Sequence, residues 1–177
     1  MSTINHTKFG MFMINILNKI SIFLFKHKWL YYILNYTWGF IMTFIGILAS
    51  FIMRISGHHY VRVAPGMARC YFVTDNMGGL SLGTSTFVSR NMDSYNTWHF
   101  QCHEDGHTYQ NAILGPFSIL LVFIPSVVRY WYRYFKEKKG YLLNVYDSVW
   151  FEDSATQIGE LHHHYAEHPI STKYGKK

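Results

Sequence analysis

His103-Glu104-Asp105-Gly106-His107 sets two imidazoles four residues apart, with a carboxylate directly after the first. On a helix, positions i and i+4 share a face, so both rings can reach one metal ion. Glu104 then projects beside that ion, where it can take a proton from a bound water. Zinc suits this donor set and lowers the pKa of such a water toward ~7, which would make a nucleophile at neutral pH. Eleven histidines in 177 residues make the pentapeptide attainable by chance, so its surroundings must support it.

The elements around the motif do so. Asp93 to Thr97 offers several helix-capping residues, and Gly115-Pro116 stops a helix, which predicts one helix from Ser94 to Leu114. A catalytic zinc takes three protein ligands and keeps one position open. The third candidate is Glu152, on a second helix expected over Tyr141 to Leu161. Ahead of both helices, Leu80 to Ser89 reads as a strand after the Asp75–Gly79 turn. Tyr60–Val63 and Arg69–Val73 are rich in β-branched and aromatic residues, so a hairpin or small antiparallel sheet is expected.

The N-terminal half has another texture. Residues 1–28 read as a basic amphipathic helix lying at a membrane interface; Lys19 interrupts the apolar stretch, which argues against a secretory signal. Trp29 to Met53 runs 25 residues without a charge. As one helix it would extend roughly 37 Å, enough to cross a hydrocarbon core of ~30 Å. Trp29, Tyr31 and Tyr32 would anchor it, with Lys28 and Arg54 at its ends. Residues 54–161 then form the metal-binding domain. Within it, residues 112–128 are apolar but broken by Gly115, Pro116 and Pro125, and lead into a basic, aromatic stretch through Lys139. Residues 162–177 read as a polar tail rich in His and Lys.

Net charge is +6 and aromatic content 19%, and no acidic residue precedes Asp75. The basic residues flank apolar runs instead of forming one basic surface, which favours a lipid membrane over nucleic acid as partner. Cys70 and Cys102 say little about redox compartment.

With Trp150-Phe151-Glu152-Asp153-Ser154-Ala155 in view, the chain resembles the gluzincin metallopeptidases, whose second helix donates a glutamate. More narrowly, it is similar to the HtpX and CaaX-type membrane peptidases. The run from His103 to Gln110, with Leu114-Gly115-Pro116 and Pro125-Ser126, also resembles a group of small bacterial and phage membrane proteins. The resemblance spans residues 78–159. It implies an α+β fold with an N-terminal membrane helix, a small sheet and two zinc-site helices. It implies zinc on His103, His107 and Glu152, Glu104 as general base, a peptide or membrane-protein substrate, and a bacterial or phage-encoded membrane location. It also implies an edge strand within Leu80–Ser89 that pairs with extended substrate. Thr156 departs from the pattern, standing where such peptidases place an aspartate that orients a ligand histidine.

Two other readings stay open. The chain can be a non-catalytic membrane protein that retains a zinc site. Alternatively, His99, His103 and His107, with His58, His59, His162, His163, His164 and His168, can serve a di-iron membrane oxidase or hydroxylase. A single metal also limits topology: if residues 112–128 crossed a bilayer as a plain helix, ~30 Å of hydrocarbon would separate Glu152 from the histidines.

Overall fold

A computed structural model describes residues 6–58, 60, 67–73, 78–89, 94–143 and 148–167, in a mixed α+β arrangement. Helix α1 (Lys8–Lys26) starts at Thr7, whose hydroxyl accepts from the Gly10 amide at 3.1 Å. It buries Gly10, Ile14, Leu17, Ser21 and Leu24, a three-four spacing that marks one helical stripe. That stripe packs mainly on the C-terminal helix, α6 (Trp150–Glu167), while Phe9, Phe12 and Phe23 stay exposed on other faces. α1 is long and apolar enough to cross a membrane.

The uncharged stretch from Trp29 to Met53 is not one straight helix. It forms α2 (Lys28–Tyr36) and α3 (Phe40–Ile55), bent by 91°. Polar groups inside the run cause the break. The Asn111 amide nitrogen donates to Asn35 Oδ1 at 2.8 Å and to the Gly39 carbonyl at 3.1 Å. Buried polar atoms must be paired, and this elbow is what pairs them. Hydropathy registers the absence of charge in the run and passes over Asn35 and Thr43, both buried.

Strands β1 (Arg69–Val73), β2 (Gly79–Leu82) and β3 (Ser85–Ser89) form one sheet in the order β1-β3-β2. Leu80 to Ser89 is therefore a hairpin and not one strand, because Gly83 adopts a φ of 60° and reverses the chain. β2 and β3 are antiparallel as expected, but β1 runs parallel to β3. Residues 61–63, read as strand-forming from sequence, lie outside the described residues.

Helix α4 (Ser94–Leu114) carries the pentapeptide and ends at Gly115, with a φ of 57°. It is buried although its buried side chains are mostly polar, among them Thr108, Gln110 and Asn111. Its main neighbour is α6. Gly106 and Gly159 set that contact: a Cβ on Gly106 would strike the Ala155 carbonyl oxygen, and one on Gly159 the Cys102 carbonyl oxygen. The two backbones therefore approach as closely as bare glycine allows.

α6 begins nine residues later than the expected Tyr141 and runs on to Glu167. His162 and His163, assigned from sequence to a polar tail, are buried in it. His162 lies between Phe25 and Tyr109, with ring centroids at 4.8 and 4.2 Å. A helix reading that stops at a histidine run misses that imidazole can fill an aromatic slot. Between α4 and α6, a π-helical turn (Ile119–Phe123) leads into α5 (Ile124–Lys138), which has no fully buried residue.

Candidate metal centre

His103 and His107, one turn apart on α4, both face Glu152 in the first turn of α6. Glu152 Oε2 lies 3.1 Å from His103 Nε2 and 3.3 Å from His107 Nε2. The two Nε2 atoms are 3.1 Å apart. Glu152 is completely buried, and beyond the two facing imidazole nitrogens no hydrogen-bond partner of Oε2 is found among the described residues. A buried carboxylate is costly unless a cation meets it. Among the described residues, the His, Cys, Asp and Glu side chains placed to share an ion are these three.

The far sides of both rings are engaged. His107 Nδ1 is 2.7 Å from Gln110 Oε1. Gln110 donates its amide nitrogen to the Phe151 carbonyl at 2.7 Å, so its oxygen must be the atom that faces the histidine. His107 therefore donates from Nδ1, and Nε2, which faces Glu152, is the atom left to meet a metal. His103 Nδ1 is 2.8 Å from Thr156 Oγ1. Thr156, where the sequence resemblance leads one to expect an orienting aspartate, thus meets His103 with a hydroxyl and no charge. Asp153, the other acid nearby, is held elsewhere, 2.7 Å from His6 Nε2 and 3.0 Å from Gln157 Nε2.

Local electrostatics follow from burial and proximity. Burial alone would raise the Glu152 pKa, but His103 and His107 outweigh it and hold the carboxyl below the usual range. Burial would likewise lower the His107 pKa, yet Glu152 and Glu104 push it up to about 9. Glu104 behaves oppositely. Its burial raises its pKa, and the two histidines offset this only in part. Its carboxylate packs against Gly79 so closely that a side chain there would collide with it. Asp105 is pushed by burial to about 7, partly offset by the facing backbone of Ala68 and Met67.

His103, Glu104 and His107 line a cavity of about 730 Å³. Gly79, Leu80 and Ser81 of edge strand β2 form part of its lining, and Val127, Tyr130, Trp131 and Tyr134 of α5 form another part. Ser89 N donates to the Gly78 carbonyl at 2.8 Å, which fixes the hydrogen-bonding phase of the hairpin. In antiparallel pairing the phase alternates, so the backbone N–H and C=O of Gly79 and Ser81 point away from β3.

Of the other histidines, His99 sits 3.6 Å from Glu160 and its ring centroid is 6.5 Å from that of His103, outside the trio. His162 and His163 are buried in α6 and are not part of it. His59 and His168 lie outside the described residues. Sequence reasoning missed Gln110, Ser126 and Gly79. Gln110 had a signal, since it follows His107 by three residues on the same helix face. Ser126 had none. Its hydroxyl donates to Glu152 Oε1 from a different helix, 26 positions away.

No family model matches this chain, and comparison with curated proteins and with solved structures found no match.

Proposed function

We propose that the protein is a membrane-associated zinc hydrolase that cleaves peptide bonds, with zinc held by His103, His107 and Glu152. The observation that carries this reading is the convergence of three donor atoms, the Nε2 atoms of His103 and His107 and the fully buried Oε2 of Glu152. Their spacings of 3.1, 3.1 and 3.3 Å suit zinc. Tetrahedral bonds of ~2.0–2.1 Å place donors about 3.3 Å apart. When bound, zinc supplies Lewis-acid polarisation of a carbonyl and lowers the pKa of water toward ~7.

The chain's own residues supply the rest. Glu104, in the cavity wall, is the proton acceptor, and its raised pKa brings it closer to the task of a base at neutral pH. Gly79 and Ser81 offer backbone groups that pair with an extended polypeptide. The aromatic wall of α5 excludes water and receives apolar side chains. Membrane association rests on α1 and on exposed apolar residues of α3 and α5, including Phe44, Phe51, Ile55, Val128 and Phe135.

Elemental analysis of purified protein tests the metal, with one zinc per chain expected. Unchanged zinc in the His103→Ala/His107→Ala variant overturns the assignment. Glu104→Gln is expected to retain zinc and lower peptide hydrolysis by roughly 10²–10⁴-fold. Zinc binding with no hydrolysis in either protein would favour a non-catalytic zinc site. That reading is kept because Thr156 brings no charge to His103.

A further inference from the structure

We infer that Ser126 is a positioning residue that makes Glu152 a one-oxygen ligand, leaving room at the metal for water and substrate. This rests on the metal reading above and adds what α5 does for it. A buried carboxylate facing a cation can offer one oxygen or both. In Glu152 the two oxygens have separate surroundings: Oε2 faces both histidine Nε2 atoms, and Oε1 accepts the Ser126 hydroxyl. A charge-assisted hydrogen bond at Oε1 fixes the plane of the carboxylate and holds that oxygen away from the ion's position.

The chain makes a special arrangement to deliver this hydroxyl. α5 buries no residue fully, so Ser126 is not there to fill a core. One turn before it lies the π-helical turn, closed by the Ile124 amide bonding to the Ile119 carbonyl. A π turn takes in one extra residue and rotates everything after it by about 100° relative to an uninterrupted α-helix. Without it, Ser126 would leave the direction of Glu152. Single π turns recur near functional sites, and here the turn has a residue to aim.

Cobalt(II), bound in place of zinc, reports the coordination number through the intensity of its visible absorption. The unaltered protein is expected to give the strong bands of a four-coordinate site. Ser126→Ala should weaken them severalfold, as the freed oxygen joins the metal, and Ser126→Thr should restore them. Circular dichroism confirms that each variant is folded. Identical cobalt spectra in the unaltered protein and Ser126→Ala overturn the role of Ser126 while leaving the metal site standing. No stoichiometric cobalt in the unaltered protein overturns both. Should Ser126→Ala fail to fold, zinc-edge X-ray absorption of the unaltered protein decides. About four first-shell N or O atoms are expected there, and five or six overturn the inference.

Discussion

The pair α4–α6 and the helix α5 meet at the candidate metal centre and are built in opposite ways. α4 and α6 meet backbone to backbone through Gly106 and Gly159, and their contact buries charged and polar side chains. α5 buries no residue fully; its polar ties include Ser126 to Glu152 and Arg129 to Ser148 at 2.8 Å. Ligand geometry has to be held to a fraction of an ångström, and close-packed backbones set the positions of the ligand-bearing turns. On the proposed function, a wall that admits a polypeptide has to yield along its exposed face, and a lightly attached helix does so at small cost while Ser126 stays tied to Glu152.

The largest test of this contrast is Gly106→Ala. A Cβ there meets the Ala155 carbonyl, which cannot rotate away, so the helices must part. We expect a loss of about 1–3 kcal/mol of stability, or more, with zinc affinity falling well over tenfold. Denaturation and chelator competition read the two effects. A variant with unchanged stability and zinc affinity would show that the close approach is not what sets the site.

His162 probes the same pair through pH. Burial lowers its pKa from an ordinary 6.5 to about 3. Its neutral form is therefore the native one, and the unfolded chain takes up the proton first as pH falls below 6.5. Its contribution is complete above pH 6.5 and is lost as pH drops toward 3. By pH 5 this amounts to about 2 kcal/mol. His162→Phe, which fills the same aromatic slot, should lose that much less between pH 7 and 5. Parallel pH profiles for the two proteins would refute this.

Gln110→Ala should leave the fold intact and weaken zinc binding roughly 10–100-fold, because the His107 ring loses its fixed orientation. Equal affinity would mean that Glu152 alone aligns the ring. The smallest effect is expected on α5. Val128→Ser, on its exposed face, should change stability in detergent by less than ~0.5 kcal/mol. The same change should reduce partition into vesicles, and a larger loss of stability would mean that α5 belongs to the core after all.

What the sequence made legible was local. Capping residues and Gly115-Pro116 bounded α4 at Ser94 and Leu114, and the i, i+4 rule put both histidines on one face. Features that depend on partners distant in sequence were not legible. The elbow at residues 37–39 depends on Asn111, the orientation of His107 depends on a Gln110 amide anchored by Phe151, and Glu152 is gripped from α5. Spacing within a segment carries no record of such pairs. The hairpin was a near miss, since Gly83 sat in view as a turn residue inside what otherwise reads as one strand. The end of α6 is not legible because a run of histidines reads as solvent-facing, although a neutral ring suits an apolar slot.

The elbow between α2 and α3 has a consequence in time. Asn35 is made 76 residues before the Asn111 that pairs with it. At ~5–20 residues per second, synthesis leaves that interval open for roughly 4–15 s. Throughout it, residues 29–53 form an uncharged segment whose polar side chains have no downstream partner. On the proposed membrane reading, insertion machinery meeting the nascent chain would read it then as a continuous hydrophobic stretch. The bend gains its Asn111 bonds only when α4 emerges, so the first placement of this segment would precede its final shape.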